Sequence, residues 1–193
     1  MDTNTVLNHF RDSEALLEGH FLLSSGLHSR AYLQCARVLM NPERAALLCG
    51  EVARRVKEEL GPVDLVVSPA MGGVIVGYEM ARQLGVDGIF AERVDGTLTL
   101  RRGFDIPKGA KVLMVEDIVT TGLSSRECID CIREWGGEVV GATCLIDRSN
   151  GKADVGVPLI ALAKFEVETF DADNVPDDLK DIPAIKPGSR GLK

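Results

Sequence analysis

Lys111-Val112-Leu113-Met114-Val115-Glu116-Asp117-Ile118-Val119-Thr120-Thr121-Gly122-Leu123-Ser124-Ser125 joins an apolar run, two adjacent carboxylates, a hydroxyl-rich loop and a segment of helical periodicity. This order predicts a buried strand that delivers Glu116 and Asp117 to its carboxyl end, where open α/β sheets bind their ligands. Thr120 to Ser124 then offer hydroxyls and successive backbone N–H groups, and the next helix points its positive end at the same place. A phosphate fits such a cradle. The paired carboxylates repel a phosphate but suit sugar hydroxyls or Mg²⁺. A sugar phosphate carrying a metal-bound polyphosphate needs all of these features.

Outward from this stretch the pattern repeats. Val63-Asp64-Leu65-Val66-Val67 reads as a short buried strand. It leads through Ser68-Pro69-Ala70-Met71-Gly72-Gly73 into an apolar helical segment, a second strand–turn–helix unit in which Gly72 and Gly73 allow a ligand close to the backbone. Upstream, Asn41-Pro42-Glu43 has the form of a helix start, with a capping side chain, proline in the first turn and an acid after it; that helix should stop at Gly61-Pro62. Residues 88–92, 138–146 and 159–163 read as further strands, and Gly136-Gly137 should end the helix that begins near Leu123. Strand–helix alternation of this kind predicts an α/β fold with a mostly parallel central sheet flanked by helices.

The remaining segments are less regular. Asn4 to Glu18 places Val6, Leu7, Phe10, Leu16 and Leu17 at spacings that suit one amphipathic helix. Gly19 to Gln34 reads as two strands around a Ser-Gly turn, a small hood that could cover a ligand with Ser24, Ser25, Arg30 and Tyr32. Asp95-Gly96 is a hairpin signal inside Arg93 to Phe104, where Arg93, Arg101 and Arg102 are candidates for a flap over an anion. Beyond Thr169 the chain is acidic and proline-rich, and an extended tail is expected, packed against a neighbour or a second subunit.

Bulk properties bound the function. The 193 residues are expected to form one unit, with hood about 1–40, core about 41–170 and acidic tail 171–193. A net charge of −7 argues against a general nucleic-acid surface, because duplex binding rests on Lys and Arg neutralising phosphates. No run has the length of a transmembrane helix and the N-terminus lacks a signal-like apolar core, so a cytoplasmic protein is expected. The five cysteines are odd in number and lie in apolar surroundings, which suits reduced thiols. Cys128-x-x-Cys131 falls inside a predicted helix with no second pair, and reads as buried helix positions rather than half a zinc site.

The stretch from Val115 to Gly122 resembles the signature of the type I phosphoribosyltransferases: a strand, two acids, then a Thr/Gly phosphate loop. Within that superfamily the chain resembles the orotate phosphoribosyltransferases, in a compact bacterial and archaeal branch. Phe21-x-Leu-x-Ser-Gly-x-x-Ser is similar to that family's hood, Asp147-Arg148 to its carboxylate-binding arginine, and Lys186-Pro187-Gly188-Ser189-Arg190 to the end of its compact members. The resemblance implies transfer of a phosphoribosyl group from 5-phosphoribosyl-1-pyrophosphate to orotate, giving orotidine 5′-monophosphate and pyrophosphate, in UMP biosynthesis.

It also implies roles. Glu116 and Asp117 would bind the ribose hydroxyls as catalytic acids and possible Mg²⁺ contacts, and Thr120, Thr121, Gly122, Leu123 and Ser124 would hold the 5′-phosphate. Gly72 and Gly73 with Arg93, Arg101 and Arg102 would meet the pyrophosphate. Arg148, Thr120, Ser24 and Tyr32 would meet orotate. A homodimer with a shared flap is implied in the same way. The chain departs from the family pattern at three places: Gly72 and Ser24 stand where lysines are common, and Arg93 to Phe104 contains no lysine or histidine. Two other readings stay open from the residues. A purine-type transferase does not account for a cation at Arg148. A non-catalytic regulator that senses the activated ribose and binds nucleic acid lacks a basic helix here. A P-loop or Rossmann binder lacks its glycine motif.

Overall fold

A computed structural model describes residues 1–23, 25–149 and 151–187. Two sheets organise the chain. The larger has six strands in the order β5-β4-β3-β6-β7-β8, formed by β3 (Leu65–Pro69), β4 (Asp87–Val94), β5 (Thr97–Leu100), β6 (Lys111–Val119), β7 (Glu138–Asp147) and β8 (Leu159–Lys164). All its pairings are parallel except the β4–β5 hairpin, turned by Asp95 and Gly96, both with positive φ. The smaller sheet is antiparallel, in the order β1-β2-β9, from β1 (Leu16–Leu22), β2 (His28–Leu33) and β9 (Thr169–Phe170).

Helices cover both faces of the large sheet. On one side lie α1 (Thr3–Asp12), the short α2 (Cys35–Leu39), α3 (Pro42–Glu59) and α4 (Gly72–Leu84); on the other lies α5 (Leu123–Glu134). Strand β6 shows why the layers separate. Successive side chains alternate, so Leu113 and Val115 join the core under α3 and α4 while Val112 and Met114 join the core under α5. All four are fully buried, as expected for a strand covered on both faces.

Connectivity then fixes where a ligand can sit. From β3 the chain crosses through α4 to β4 on one side, and from β6 it crosses through α5 to β7 on the other. The order therefore reverses between the neighbours β3 and β6, so their carboxyl-end loops diverge and leave a crevice.

The start of α3 follows the sequence reading: Asn41 Oδ1 accepts from Arg44 N at 2.9 Å, with Pro42 in the first turn. Other expectations are corrected. The first helix ends at Asp12 instead of running to Glu18, because Ser13 Oγ donates to the carbonyls of His9 and Phe10 and Glu14 takes a positive φ. Leu16 and Leu17 then pair with Leu33 and Tyr32 across the hood. The acidic segment after Thr169 is not an extended tail. It adds β9 to the hood sheet, forms a 3₁₀ turn over Ala172–Asn174 and α6 (Asp177–Lys180), and then runs beside β1. There Leu22 N donates to Ile185 O and Ile185 N to His20 O. Ser24 and residues 188–190 of the terminal motif lie outside the described residues. Among the described residues no helix is long and apolar enough to cross a membrane.

Replacing Asn41 by Ala removes a cap from the longest helix, and a loss of about 1 kcal/mol in unfolding free energy is expected, read as a lower midpoint in urea with an unchanged slope.

Candidate active site

At the switch point between β3 and β6 lies a cleft of about 280 Å³, lined by Pro69, Ala70 and Gly72 from one side and by residues 116–125 from the other. Its floor is the acid pair. Glu116 is only 7% exposed, and burial beside Asp117 pushes its carboxyl from the ordinary 4.5 up to about 8. Asp117 is also raised by burial, although Ile118 N donates to its Oδ1 at 2.8 Å and tempers the shift. Two carboxylates side by side in low dielectric cannot both ionise cheaply. Burial and the neighbouring Asp117 thus favour the protonated form of Glu116 near neutral pH.

The rim is the loop into α5. Gly122 has φ +74°, and a Cβ there would meet Val155 Cγ1 at 3.0 Å, so this position needs glycine. Thr121 Oγ1 accepts from Leu123 N at 3.3 Å, while Arg126 reaches back to the carbonyls of Thr121 and Asp154 and braces the loop. Thr120, Thr121, Leu123 and Ser124 are exposed. The first turn of α5 has no side-chain cap and no acid. Its leading N–H groups have no helical partner by construction, which leaves donors of the kind that suit an anion beside the acid pair.

Gly72 and Gly73 open α4 on the facing wall, Gly73 so close to Ser68, Pro69 and the Val115 carbonyl that a Cβ would come within 3.1–3.2 Å of each. Arg148 follows β7, tied to β6 by its N–H to the Val119 carbonyl at 2.8 Å. Its Nε is buried with no hydrogen-bond partner, and burial lowers its pKa against the opposing influence of Cys35 and Tyr32 nearby. Arg148 also lines a second cleft with Ser149, Lys152 and residues 166–170. Tyr32 is half-buried and tilts against Phe21, with ring centroids 6.0 Å apart. Among the described residues no group of three or more His, Cys, Asp and Glu could hold a metal ion.

The arrangement gathers Glu116, Asp117, Thr120–Ser124 and Gly72 around one cleft, with Arg148 near Tyr32 of the hood sheet. It does not bring the flap arginines there. Arg93 pairs with Glu127 on α5 and with the Gly96 carbonyl, Arg102 forms a two-bond pair with Glu92 at 2.8 Å over the Phe90 ring, and Arg101 is exposed. Arg30, expected to face a ligand, instead pairs with Asp178 and Glu168 and lies over Phe170. Arg126 was missed by sequence reasoning, since an arginine three residues into a helix looks like ordinary surface. Its bracing role depends on Asp154, far along the chain.

Known proteins resemble this chain in sequence and fold. The phosphoribosyl transferase domain family matches residues 39–169. The orotate phosphoribosyltransferase of Maricaulis maris is 57% identical over 100% of both chains, and that of Erythrobacter litoralis 60% identical over 98% of this chain and 99% of its own. The chain belongs to the orotate phosphoribosyltransferase family. The crystal structure of orotate phosphoribosyltransferase from Aeropyrum pernix superposes with a TM-score of 0.66 at 27% identity, over 82% of this chain and 93% of that one. The fold is that of the type I phosphoribosyltransferases, as the sequence resemblance implied.

A raised folded-state pKa at Glu116 means the native state binds a proton that the unfolded chain releases. Stability is therefore full below the ordinary carboxyl pKa and is lost as pH rises from 4.5 through about 8. Ligand-free protein should melt progressively lower across this window, at most about 1.4 kcal/mol per pH unit. Glu116→Gln, which cannot ionise, should flatten the slope of melting temperature against pH.

Proposed function

We propose that the chain transfers the 5-phosphoribosyl group of 5-phosphoribosyl-1-pyrophosphate to orotate with Mg²⁺, releasing pyrophosphate and forming orotidine 5′-monophosphate for UMP synthesis. The observation that carries this reading is the unpartnered Nε of Arg148 within the same fold as an acid pair and a helix-start phosphate cradle. A buried guanidinium Nε–H without an acceptor leaves hydrogen-bonding capacity unmet, and a carboxylate-bearing base supplies one.

Each part has a role in that reaction. The N–H groups and hydroxyls of Thr120, Thr121, Gly122, Leu123 and Ser124 hold the 5′-phosphate. Asp117, and Glu116 once it gives up its proton, accept hydrogen bonds from the ribose hydroxyls. As pyrophosphate departs, the ring gathers positive charge, and carboxylates held in low dielectric stabilise it without having to reorganise. The hood, with Tyr32 and Ser24, positions the orotate ring beside Arg148 and excludes water that would hydrolyse the activated ribose. Two carboxylates are too few for a closed metal cage but suit Mg²⁺, which binds through one or two carboxylates plus substrate phosphates. When bound, Mg²⁺ neutralises charge on the pyrophosphate.

The backbone at Gly72 and Gly73 faces that pyrophosphate. Arg93, Arg101 and Arg102 serve as its flap, with Arg93 and Arg102 exchanging Glu127 and Glu92 for the ligand. A homodimer with the flap shared across its interface fits an exposed apolar face at the start of α4, where Met71 just before the helix and Ile75 and Tyr78 within it are 84%, 49% and 71% exposed. Hood, core and tail act as one unit, in which the tail belongs with the hood sheet. A cytoplasmic setting suits five free, buried thiols.

The first experiment is loss of orotate absorbance with 5-phosphoribosyl-1-pyrophosphate and Mg²⁺. Turnover is expected only with all three present, and turnover of adenine or xanthine without orotate would refute the base assignment. Arg148→Ala should raise KM for orotate about tenfold to a hundredfold, as expected when a charge-assisted contact is removed, with a much smaller change for the ribose donor. Equal changes for both substrates would count against the carboxylate contact.

A further inference from the structure

The Nε of Arg148 is buried with no hydrogen-bond partner, so no bond at that atom fixes the side chain, and its direction depends on the backbone that carries it. On its near side that backbone is part of the sheet. Asp147 closes β7, and the chain there is paired on both flanks: Arg148 N donates to Val119 O of β6 at 2.8 Å, and Phe165 N, just past β8, donates to Asp147 O at 3.0 Å. Beyond Arg148 the chain leaves the sheet, and a side chain takes over. Asp147 is only 2% exposed, and its Oδ1 accepts from Ser149 N at 2.8 Å and from Ser149 Oγ at 2.6 Å. The same hydroxyl oxygen accepts from Ala153 N at 3.0 Å. Arg148 thus stands between a residue clamped in the sheet and one clamped to a buried carboxyl group. Burying an acid is costly, and among the described residues the hydrogen bonds of this one all go to Ser149.

We propose that Asp147 is a positioning residue for Arg148, with the Ser149 hydroxyl as its relay to Ala153: together they fix the turn from which the guanidinium reaches a carboxylate-bearing substrate. The proposal rests on the assignment of Arg148 to orotate. Asp147 acts through Arg148, by holding the backbone on its far side. The role needs an acceptor at this place, and the amide oxygen of asparagine also supplies one. Without any acceptor, the N–H and hydroxyl of Ser149 lose their shared partner and the hydroxyl is no longer aimed at Ala153. The turn can then relax. Arginine is long, so a small change of backbone direction at its Cα is magnified at the guanidinium.

Kinetics and a ligand-free structure test this separately. Asp147→Ala should raise KM for orotate about tenfold, the milder end of what a misplaced group costs, and change KM for the ribose donor less than about twofold. Ser149→Ala removes the relay but keeps the Ser149 N–H bond, and should raise KM for orotate about twofold to fivefold. A purely structural role would lower the folded fraction and with it the apparent kcat, leaving both KM values alone. Asp147→Asn keeps the acceptor and should recover most of the loss. In the Arg148→Ala background, Asp147→Ala should add less than about twofold to KM for orotate, because its effect passes through the guanidinium. An unchanged KM for orotate in Asp147→Ala, an equal loss in Asp147→Asn, or full additivity with Arg148→Ala would overturn the proposal. Crystal structures of ligand-free Asp147→Ala and Ser149→Ala test the geometry even if orotate proves not to be the substrate, and the second serves if the first variant does not fold. A displaced Arg148 side chain supports the positioning role, and an unmoved one refutes it.

Discussion

Two neighbouring carboxyl groups held out of water at the end of a strand constrain everything around them. Glu116 and Asp117 are costly as a charged pair, and with no ligand the cost is met by leaving Glu116 protonated. Such an arrangement persists only where the surrounding structure is stable enough to impose it. Here that structure is β6, fully buried along Val112 to Val115 and paired on both sides. The strand's apolar packing thus supports a polar terminus that would not hold together alone.

The reversal of strand order gives the pair its surroundings. Because α4 leaves β3 toward one side and α5 leaves β6 toward the other, two helix starts face a single crevice. Each contributes unpaired N–H groups and neither begins with an acid. Free N–H donors on the walls and a pair of carboxyl groups on the floor of one cleft suit a ligand that is itself divided, with phosphates at its ends and hydroxyls between. The acidic net charge of the protein is no obstacle, because the attraction is local and set by backbone geometry.

The parts of this arrangement that rest on local chemistry were legible in the sequence. The apolar run, acid pair and loop of residues 111–125 occur as β6, cleft floor and helix start, and Asn41 caps α3 as its residue type and the following proline imply. The parts that depend on distant partners were not. Leu16 and Leu17 continue a helical spacing, but pairing with Leu33 and Tyr32 outweighs it. The segment after Thr169 looks like a solvated acidic tail until Arg30, 148 residues from Asp178, supplies a countercharge and Ile185 finds the edge of β1. Arg93 and Arg102 look available for an anion, and nothing nearby in sequence marks Glu127 as the partner of Arg93. Composition identifies which residues are charged, while only the fold decides which charges already have partners.

The central claim is that phosphate, ribose and a carboxylate-bearing base are recognised by separate groups of this chain, the first two in the cleft at the switch point and the last at Arg148. A crystal structure of the complex with orotidine 5′-monophosphate tests it most directly. The account predicts the phosphate on the N–H groups of residues 122–124, the ribose hydroxyls on Glu116 and Asp117, and the base carboxylate on the Arg148 guanidinium. A nucleotide bound with its phosphate elsewhere, or with Arg148 still unpaired, would contradict it.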